Sequence, residues 1–470
     1  MGNEIRADYT EQYLLPPSLD DWIPSDHPAR FIRDFVDSLD LAALGFRIPN
    51  AFEGRPPYAA DLQLKVWLYG YLNRIRSTRD LERACREHMS LLWLTGQNYP
   101  DHNTLWRFFS VNKKALRQMF RQVVGVAYDS GLIGLAVHAV DGTKIRAQSS
   151  KHSGHHKKEL KKLLKHIDAS IEEAISEIES SETSESGDYR LPESLIDAKA
   201  RRSEIKKSLA KLSEIDRDHY HPGESDARMM KTGEGIDFGY NAQVVVDKES
   251  SLIVAEDVVN AEADNALLID MIDEVEDNLG ETAEETVADG GYYSPNQLAE
   301  AEKGDREVLI SLPGHLSSPE KFHKSQFKYD EKNDEYICPV GKRLSYGQTR
   351  LSRHKKYKIR EYRCRNYKDC PHRRECSSQK RGRIIERGEY EAAVLRQKEK
   401  QKSEVNREIL KSRMSIVEST FAHIKEQMGF RRWTMRNLGN VRAQWSMICT
   451  AINLKKLYRH WLTGRLILVR

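Results

Sequence analysis

Apolar positions recur at spacings of three and four through residues 16–130, in DHPARFIRDFVDSLDL, AADLQLKVWLYGYLN, STRDLERACREHMSLLWLTG and HNTLWRFFSVNKKALRQMFRQVVGVAYDSG, with Pro, Gly and Asn between them. This spacing gathers the apolar side chains on one helical face, so the first part of the chain is predicted to be a bundle of short helices. Ser77 or Thr78, and Asp101 or Asn103, are placed to cap helix starts. The last two helices suit a helix-turn-helix carrying Arg107, Lys113, Lys114 and Arg117. A helical bundle that binds no DNA has the same pattern.

At GLIGLAVHAVDGTKIRAQ the helical period gives way to a continuous apolar run ending in Asp-Gly, which predicts a buried strand. From Gly235 to Pro313 the order reads strand, turn, strand, helix, strand, helix, strand, with Asp264 as the cap of the first helix. That mixture predicts an α/β sheet with helices packed on it. Between the two blocks, Leu160, Leu164, Ile167, Ile171, Ala174 and Ile178 form a heptad seam. After a Ser-rich break from Ser180 to Ser194, Ile205, Leu209 and Leu212 repeat it. An antiparallel helical hairpin over 151–225 follows, with Arg202 near its second seam; a solvated arm, a dimerisation element and a DNA clamp all fit. A second insertion spans 316–399. Beyond it, QKEKQKSEVNREILKSRMSIVESTFAHIKEQMG predicts one long helix and NVRAQWSMICTAINLKKLYRHWL another, joined by a basic turn. Residues 131–150, 226–315 and 400–470 then make up one α/β domain of ordinary size.

Composition narrows the class. The 470 residues are 39% hydrophobic and 31% charged, and the mean hydropathy is -0.68. No run approaches the roughly 18 apolar residues of a membrane span, and the start of the chain lacks a signal-peptide stretch, so a cytoplasmic protein without a membrane partner is expected. The net charge of +4 says little about nucleic acid, but Arg353–Arg387 holds 14 Lys or Arg against four acids. Tyr357, Tyr362 and Tyr367 are interleaved there, as a DNA backbone and its bases would require; a solvated charged loop is the alternative. Four of the six cysteines, Cys338, Cys364, Cys370 and Cys376, fall in the same insertion. In a cytoplasmic chain they point to structural Zn²⁺ before disulfides, with His372 as a substitute ligand, or else to four free thiols. Cys85 and Cys449 lie in apolar helical patterns and are expected to pack.

Three acids are placed suggestively: Asp141 at the end of the first strand, Asp289 at the end of a later one, and Glu418 on the long helix. Singly, Asp-Gly is a turn and an exposed helical Glu is a solvated face. Jointly, strand ends at one sheet edge with a helix across them bring three carboxylates together, the oxygen donors that hard divalent cations need.

These motifs resemble the DDE transposases of bacterial insertion sequences. VDGTKIRA around Asp141, DGGYYS from Asp289, and Glu418 separated by six residues from Lys425 are similar to the three acidic motifs of that family. DARMMK at 226–231 with GYNAQVVVD at 239–247 is similar to its second strand, and GRPPY at 54–58 with PDHNTLWRF at 100–108 to its helical DNA-binding leader. The resemblance implies an α/β, RNase H-like mixed-sheet core, interrupted by the hairpin and the cysteine-rich insertion and preceded by an all-α DNA-binding domain at 1–130. It implies two Mg²⁺ (or Mn²⁺) ions on Asp141, Asp289 and Glu418, and cleavage at terminal inverted repeats with joining of 3′-hydroxyls to target DNA. Double-stranded DNA, as transposon ends and target, is the implied partner, with a homodimer in the synaptic complex. Lys425, Lys144, Tyr292 and Arg413 are the implied DNA contacts, Tyr292 by stacking on an unpaired base. The cysteine cluster resembles cysteine-bearing insertions of the same group. One feature departs: the family's Arg four residues before the last Glu, and Tyr three before that, are here Met414 and Lys411, with Arg413 one residue off. An RNase H-fold nuclease that cuts without joining and a non-catalytic DNA-binding regulator are the rival readings.

Overall fold

The computed structural model describes residues 18–48, 56–181, 193–316, 318–352 and 357–468. Gly54 and Arg55, the side chain of Ile178, nearly all of the Ser180–Ser194 break and Arg353–Lys356 of the basic cluster lie outside them.

Six helices open the chain: α1 (Pro28–Asp37), α2 (Ala60–Leu72), α3 (Thr78–Glu87), α4 (Met89–Thr95), α5 (His102–Val111) and α6 (Lys113–Asp129). Ser77 and Asp101 cap α3 and α5, accepting the N–H groups of Asp80 at 3.5 Å and Thr104 at 2.7 Å. The last two predicted helices are each broken, at His88 and at Asn112. Asn112 alone separates α5 from α6, and its buried side chain accepts the N–H of Arg47 at 2.8 Å. The helices expected to form a helix-turn-helix are thus α3–α4 and α5–α6, joined through residues 96–101. Arg117, an expected DNA contact, turns inward to Asp257 at 3.3 Å.

After β1 (Val137–Arg146) the chain leaves through β2 (His155–His156), α7 (Lys157–Ser181), α8 (Glu193–Glu214) and β3 (His219–Tyr220). β2 and β3 pair antiparallel at the base and α7 packs on α8. Ile171, Ile205 and Leu212 are buried, and Arg202 reaches Asp168 across the seam at 2.6 Å. The residue that interrupts the heptad pattern thus pairs with the opposite helix.

The next elements follow the predicted alternation: β4 (Arg228–Thr232), β5 (Gly235–Asp247), β6 (Ile253–Val259), α9 (Leu268–Leu279), β7 (Glu285–Ala288), α10 (Pro295–Lys303) and β8 (Val308–Ile310). They form a six-stranded mixed sheet in which β5 has β1 on one edge and both β4 and β6 on the other. β5 is antiparallel to all three, whereas β7 and β8 continue the sheet parallel to β1. Asp264 does not cap α9. Leu267 holds the N-cap position without a side-chain hydrogen bond, and the Asp264 carboxylate turns toward the sheet.

The basic cysteine-rich stretch contains a second sheet of five antiparallel strands: β9 (Lys328–Asp330), β10 (Glu335–Ile337), β11 (Arg343–Leu351), β12 (Lys358–Cys364) and β13 (Ile384–Gly388), with a short α11 (Arg373–Cys376) before the last. Its own core gathers Phe327, Tyr336, Leu344, Tyr362, Cys364 and Ile385. Tyr362 is therefore packed rather than facing DNA, and its hydroxyl donates to Asp334 at 2.7 Å.

The long C-terminal helix is broken at Gln401–Ser403 into α12 (Glu391–Lys400) and α13 (Glu404–Ala422). Gln397 of α12 donates to the Val308 carbonyl at 2.6 Å, extending the β8 edge. α13 lies across β1 and β7 and ends in a π-helical turn, His423–Gln427. α14 (Leu438–Leu462) is buried along most of its length: Trp445 Nε1 donates to the Gln243 carbonyl at 3.0 Å, and Asn453 Nδ2 to that of Ile253 at 2.7 Å. α6 and α2 pack on α14, so the helical leader and the sheet share one continuous core rather than forming separate units. No described helix is long and apolar enough to cross a membrane.

Glu256 on β6 is buried beneath α14 and accepts the Ser446 hydroxyl at 2.6 Å. Burial pushes its carboxyl from an ordinary 4.5 up to about 8, against the pull of Arg117 and Ser446. Below its ordinary value the group is protonated in both states; as pH rises toward the folded value only the native state keeps the proton, and stability is lost. Glu256→Gln should therefore gain urea resistance relative to wild type between pH 5 and pH 8. A constant difference across that range would contradict a buried, protonated Glu256.

Candidate active site

Asp141 lies in the middle of β1, not at its end: the strand runs on to Arg146. The following glycine marks a close approach rather than a turn, since a Cβ at Gly142 would stand 2.1 Å from Gln243 Nε2 of β5. β1 and β7 pair in parallel with Ala139 opposite Val287. Two residues further along each chain come Asp141 and Asp289, so the register sets the two acids side by side. Asp289 begins a tight turn, its Oδ1 accepting the Gly291 N–H at 2.8 Å, and a Cβ at Gly291 would stand 2.9 Å from that same oxygen.

Asp141 Oδ1 accepts its neighbour's N–H, Gly142, at 2.8 Å, and Oδ2 accepts Arg413 Nη1 of α13 at 3.2 Å. The two side chains are 20% and 11% exposed. Burial, and then the charge of Asp289, hold the Asp141 carboxyl above its ordinary range, while Arg413 and the Gly142 N–H pull it down. Arg413, one residue from the family's position, therefore faces the acid.

Beneath the acids runs a polar floor. Tyr292 donates its hydroxyl to Gln243 Oε1. Gln243 Nε2 donates to Asn241 Oδ1 at 2.9 Å and to Asp264 Oδ1 at 3.1 Å, and Asn241 Nδ2 donates to the same Asp264 oxygen at 2.6 Å. Burial, with Asp264, Asp141 and Asp289 around it, raises the Tyr292 phenol well above its ordinary value, so it remains a protonated donor. Tyr292 is only 1% exposed and offers no face for stacking a base; it supports the site from below. Lys144 extends to Asp264 Oδ2 at 3.5 Å. Asp264 was missed as a site residue because an acid a few residues before a helix reads as a cap.

Glu418 does not join this group. It is exposed on α13 and has no hydrogen bond or ion pair among the described residues. The inward side of α13 is occupied by Arg413, Ile416, Val417 and Thr420, and Glu418, one step past Val417, is turned about 100° away from it. Lys425 sits in the π turn, whose wider winding swings it off the face it would share with Glu418 in an unbroken α-helix. Its ammonium is half-buried, depressed by that burial and supported by the charge of Asp141. Among the described residues no group of three or more His, Cys, Asp or Glu side chains is arranged to hold a metal ion. Asp141 and Asp289 have the donor chemistry of a divalent-cation site, and the expected third ligand stands outside it.

The four cysteines are unpaired and collect at one end of the smaller sheet, where Cys338, Cys364 and Cys376 meet its core. Lys342 N–H donates to Cys338 Sγ at 3.2 Å across a turn closed by Gly341 at φ 80. Burial raises the thiols of Cys364 and Cys376, and the neighbouring cysteines add to the shift in both; Cys370 contributes to each. His372 points to Glu375 at 3.3 Å instead. Several of the surrounding cations are already engaged: Arg387 lies 3.8 Å over the Tyr329 ring, and Arg350 and Arg363 both pair with Glu361.

Comparison with known families accounts for both ends of the chain. Residues 17–111 match the family described as Transposase domain (DUF772), and residues 337–458 that described as Transposase DDE domain. Together the two matches indicate a DDE transposase of an insertion sequence. The second match contains Glu418, Lys425, Arg413 and all four clustered cysteines; Asp141 and Asp289 lie outside both matches. No curated protein and no solved structure matches the chain.

Removing Arg413 takes away both its charge and its hydrogen bond from Asp141. Arg413→Gln should move the Asp141 titration, followed by carboxyl carbon NMR, to higher pH. An unchanged titration would show that Arg413 does not govern this acid.

Proposed function

We propose that this transposase binds duplex DNA at the terminal repeats of a mobile element, cleaves it there and joins the freed 3′-hydroxyls to target DNA, with Asp141 and Asp289 at the reacting phosphate. The observation that carries the reading is the parallel register of Ala139 with Val287, which sets Asp141 on β1 beside Asp289 just past the end of β7. The strand order β6–β5–β1–β7–β8, antiparallel to one side of β1 and parallel to the other, supports an RNase H-like core.

Asp141 and Asp289 would hold the divalent ions, Mg²⁺ or Mn²⁺. When bound there, such ions neutralise the phosphate and make water or a 3′-hydroxyl a stronger nucleophile. The protein's own part is orientation and charge. Backbone N–H groups fix one oxygen of each acid, and Arg413 fixes the second oxygen of Asp141. Lys425 and Lys144 place positive charge beside them for a polyanion, and Tyr292 keeps the floor rigid through Gln243. Two DNA ends call for two chains, hence a homodimer in the synaptic complex.

The exposed position of Glu418 favours one rival, a regulator that binds DNA without catalysis. A divalent-metal-dependent cleavage and strand-transfer assay on the element's own ends separates the readings. Asp141→Asn and Asp289→Asn should each lower joining at least roughly a thousandfold while retaining end binding. Wild-type joining by either variant would overturn the assignment, cutting without joining would favour a nuclease, and binding alone the regulator. Wild-type joining by Glu418→Gln would remove that residue from the site.

We propose that the four cysteines take a structural zinc ion; their side chains are not arranged around a common ion here, and the reading rests on the mutual influence of their thiols and on the Lys342 N–H given to Cys338 Sγ. Protein purified without chelators should carry about one zinc per chain by elemental analysis, and Cys364→Ser should lose it and loosen β9–β13. Zinc-free wild type would contradict the assignment.

A further inference from the structure

Two adjoining cavities, of about 250 and 100 Å³, open where the end of α13 and its π turn meet the last turns of α14. His423, Gln427, Ile452 and Lys455 line both. Lys456, Arg459 and the hydroxyl residues Ser251, Ser419 and Thr420 complete the larger, and Arg74 lies on the smaller. No acidic side chain lines either cavity, in a chain with nearly as many acids as bases. The exposed side chains of Arg74, Lys455 and Arg459 at their rim have no side-chain hydrogen bond, ion pair or ring partner among the described residues.

The cations act on one another. Burial depresses His423, and Lys455, Lys456 and Arg74 depress it further; Lys456 is held down at about 8 by burial and by Arg459. An anion would relieve this repulsion, and Lys455 and Arg459 beside the Thr420 and Ser251 hydroxyls are donors for a phosphate, while the Ser419 hydroxyl is given to the Ile416 carbonyl and the Lys456 ammonium, supported by the charge of Asp247, to that of Ser251. The cleft is also placed for DNA. His423 and Gln427 belong to the same π turn as Lys425, which feels the charge of Asp141.

We propose that this cleft binds backbone phosphates of DNA, gripping the strand beside the Asp141–Asp289 pair on the far side of the π turn. The proposal rests on the transposase reading and adds a contact surface to it. Lys455 and Arg459 are exposed on α14 and touch neither acid, so neutralising them tests the cleft without altering the acid pair.

The test is the salt dependence of binding to a labelled random-sequence duplex, for wild type and the double variant Lys455→Gln, Arg459→Gln, with near-UV circular dichroism as the folding control. Each lost phosphate contact lowers the slope of log K against log salt by about 0.9, so a folded double variant should be shallower by about 1.8. An unchanged slope and affinity would overturn the cleft while leaving the transposase reading in place. Absence of DNA binding by wild type would overturn both. If inorganic phosphate stabilises wild type but not the variant, with the duplex slope unchanged, the site takes free phosphate and the DNA proposal fails. Should the double variant lose its native spectrum, the single variants Lys455→Gln and Arg459→Gln are read the same way, each expected to lower the slope by about 0.9.

Discussion

The arrangement of the site depends on the parallel pairing of β1 with β7. Among the described residues, β1 is the one strand with an antiparallel neighbour on one edge and a parallel neighbour on the other. Its parallel edge fixes the height of Asp289 relative to Asp141, and its antiparallel edge brings Gln243 against Gly142. A one-residue slip of β7 would turn its side chains to the opposite faces and part the acids. Two neighbouring carboxylates in a half-buried site repel and lose hydration, and the structure offsets this with backbone N–H groups and the Arg413 guanidinium. The same constraint explains why α13 must cross β1: it delivers Arg413.

Around that strand, helices from distant parts of the sequence close one core. α14 carries Trp445 onto β5 and Asn453 onto β6, and α6 packs on its other side, so the opening helices support the sheet. The hairpin and the five-stranded sheet depart from this core without interrupting it. In the smaller sheet, rings stack under arginines and arginines pair with glutamates, which uses much of the basic charge in holding the sheet together. DNA contact is therefore better supported by cations left unpaired, such as those at the end of α14, than by local charge density.

Much of the fold was legible because periodicity reports burial. The helices of the leader, the hairpin seam and the order of strands and helices from Gly235 to Ile310 follow the apolar pattern. Motif context singles out Asp289 and Asp141, which the structure sets side by side, but the glycine after Asp141 misleads: Asp-Gly reads as a turn when it admits Gln243. Asp264 and Tyr292 were misjudged because a cap and a stacking ring are local readings, whereas both positions are set by the β5 side chains opposite. The π turn could not be read from side-chain types, and through it the Glu418–Lys425 spacing ceases to mean a shared face. The strands of the small sheet, such as KIREYRC, carry charges outward from a slender core and gave no continuous apolar run.

The central claim is that Asp141 and Asp289 together form the cation-binding, reacting end of the sheet. Ferrous ion substituted for magnesium, with peroxide and ascorbate, generates hydroxyl radicals where the metal sits, and the cut peptides can be identified by mass spectrometry. The account predicts backbone scission near Asp141 and Asp289 in wild type, lost in the double Asn variant. Scission confined to other segments, or unchanged in that variant, would contradict it.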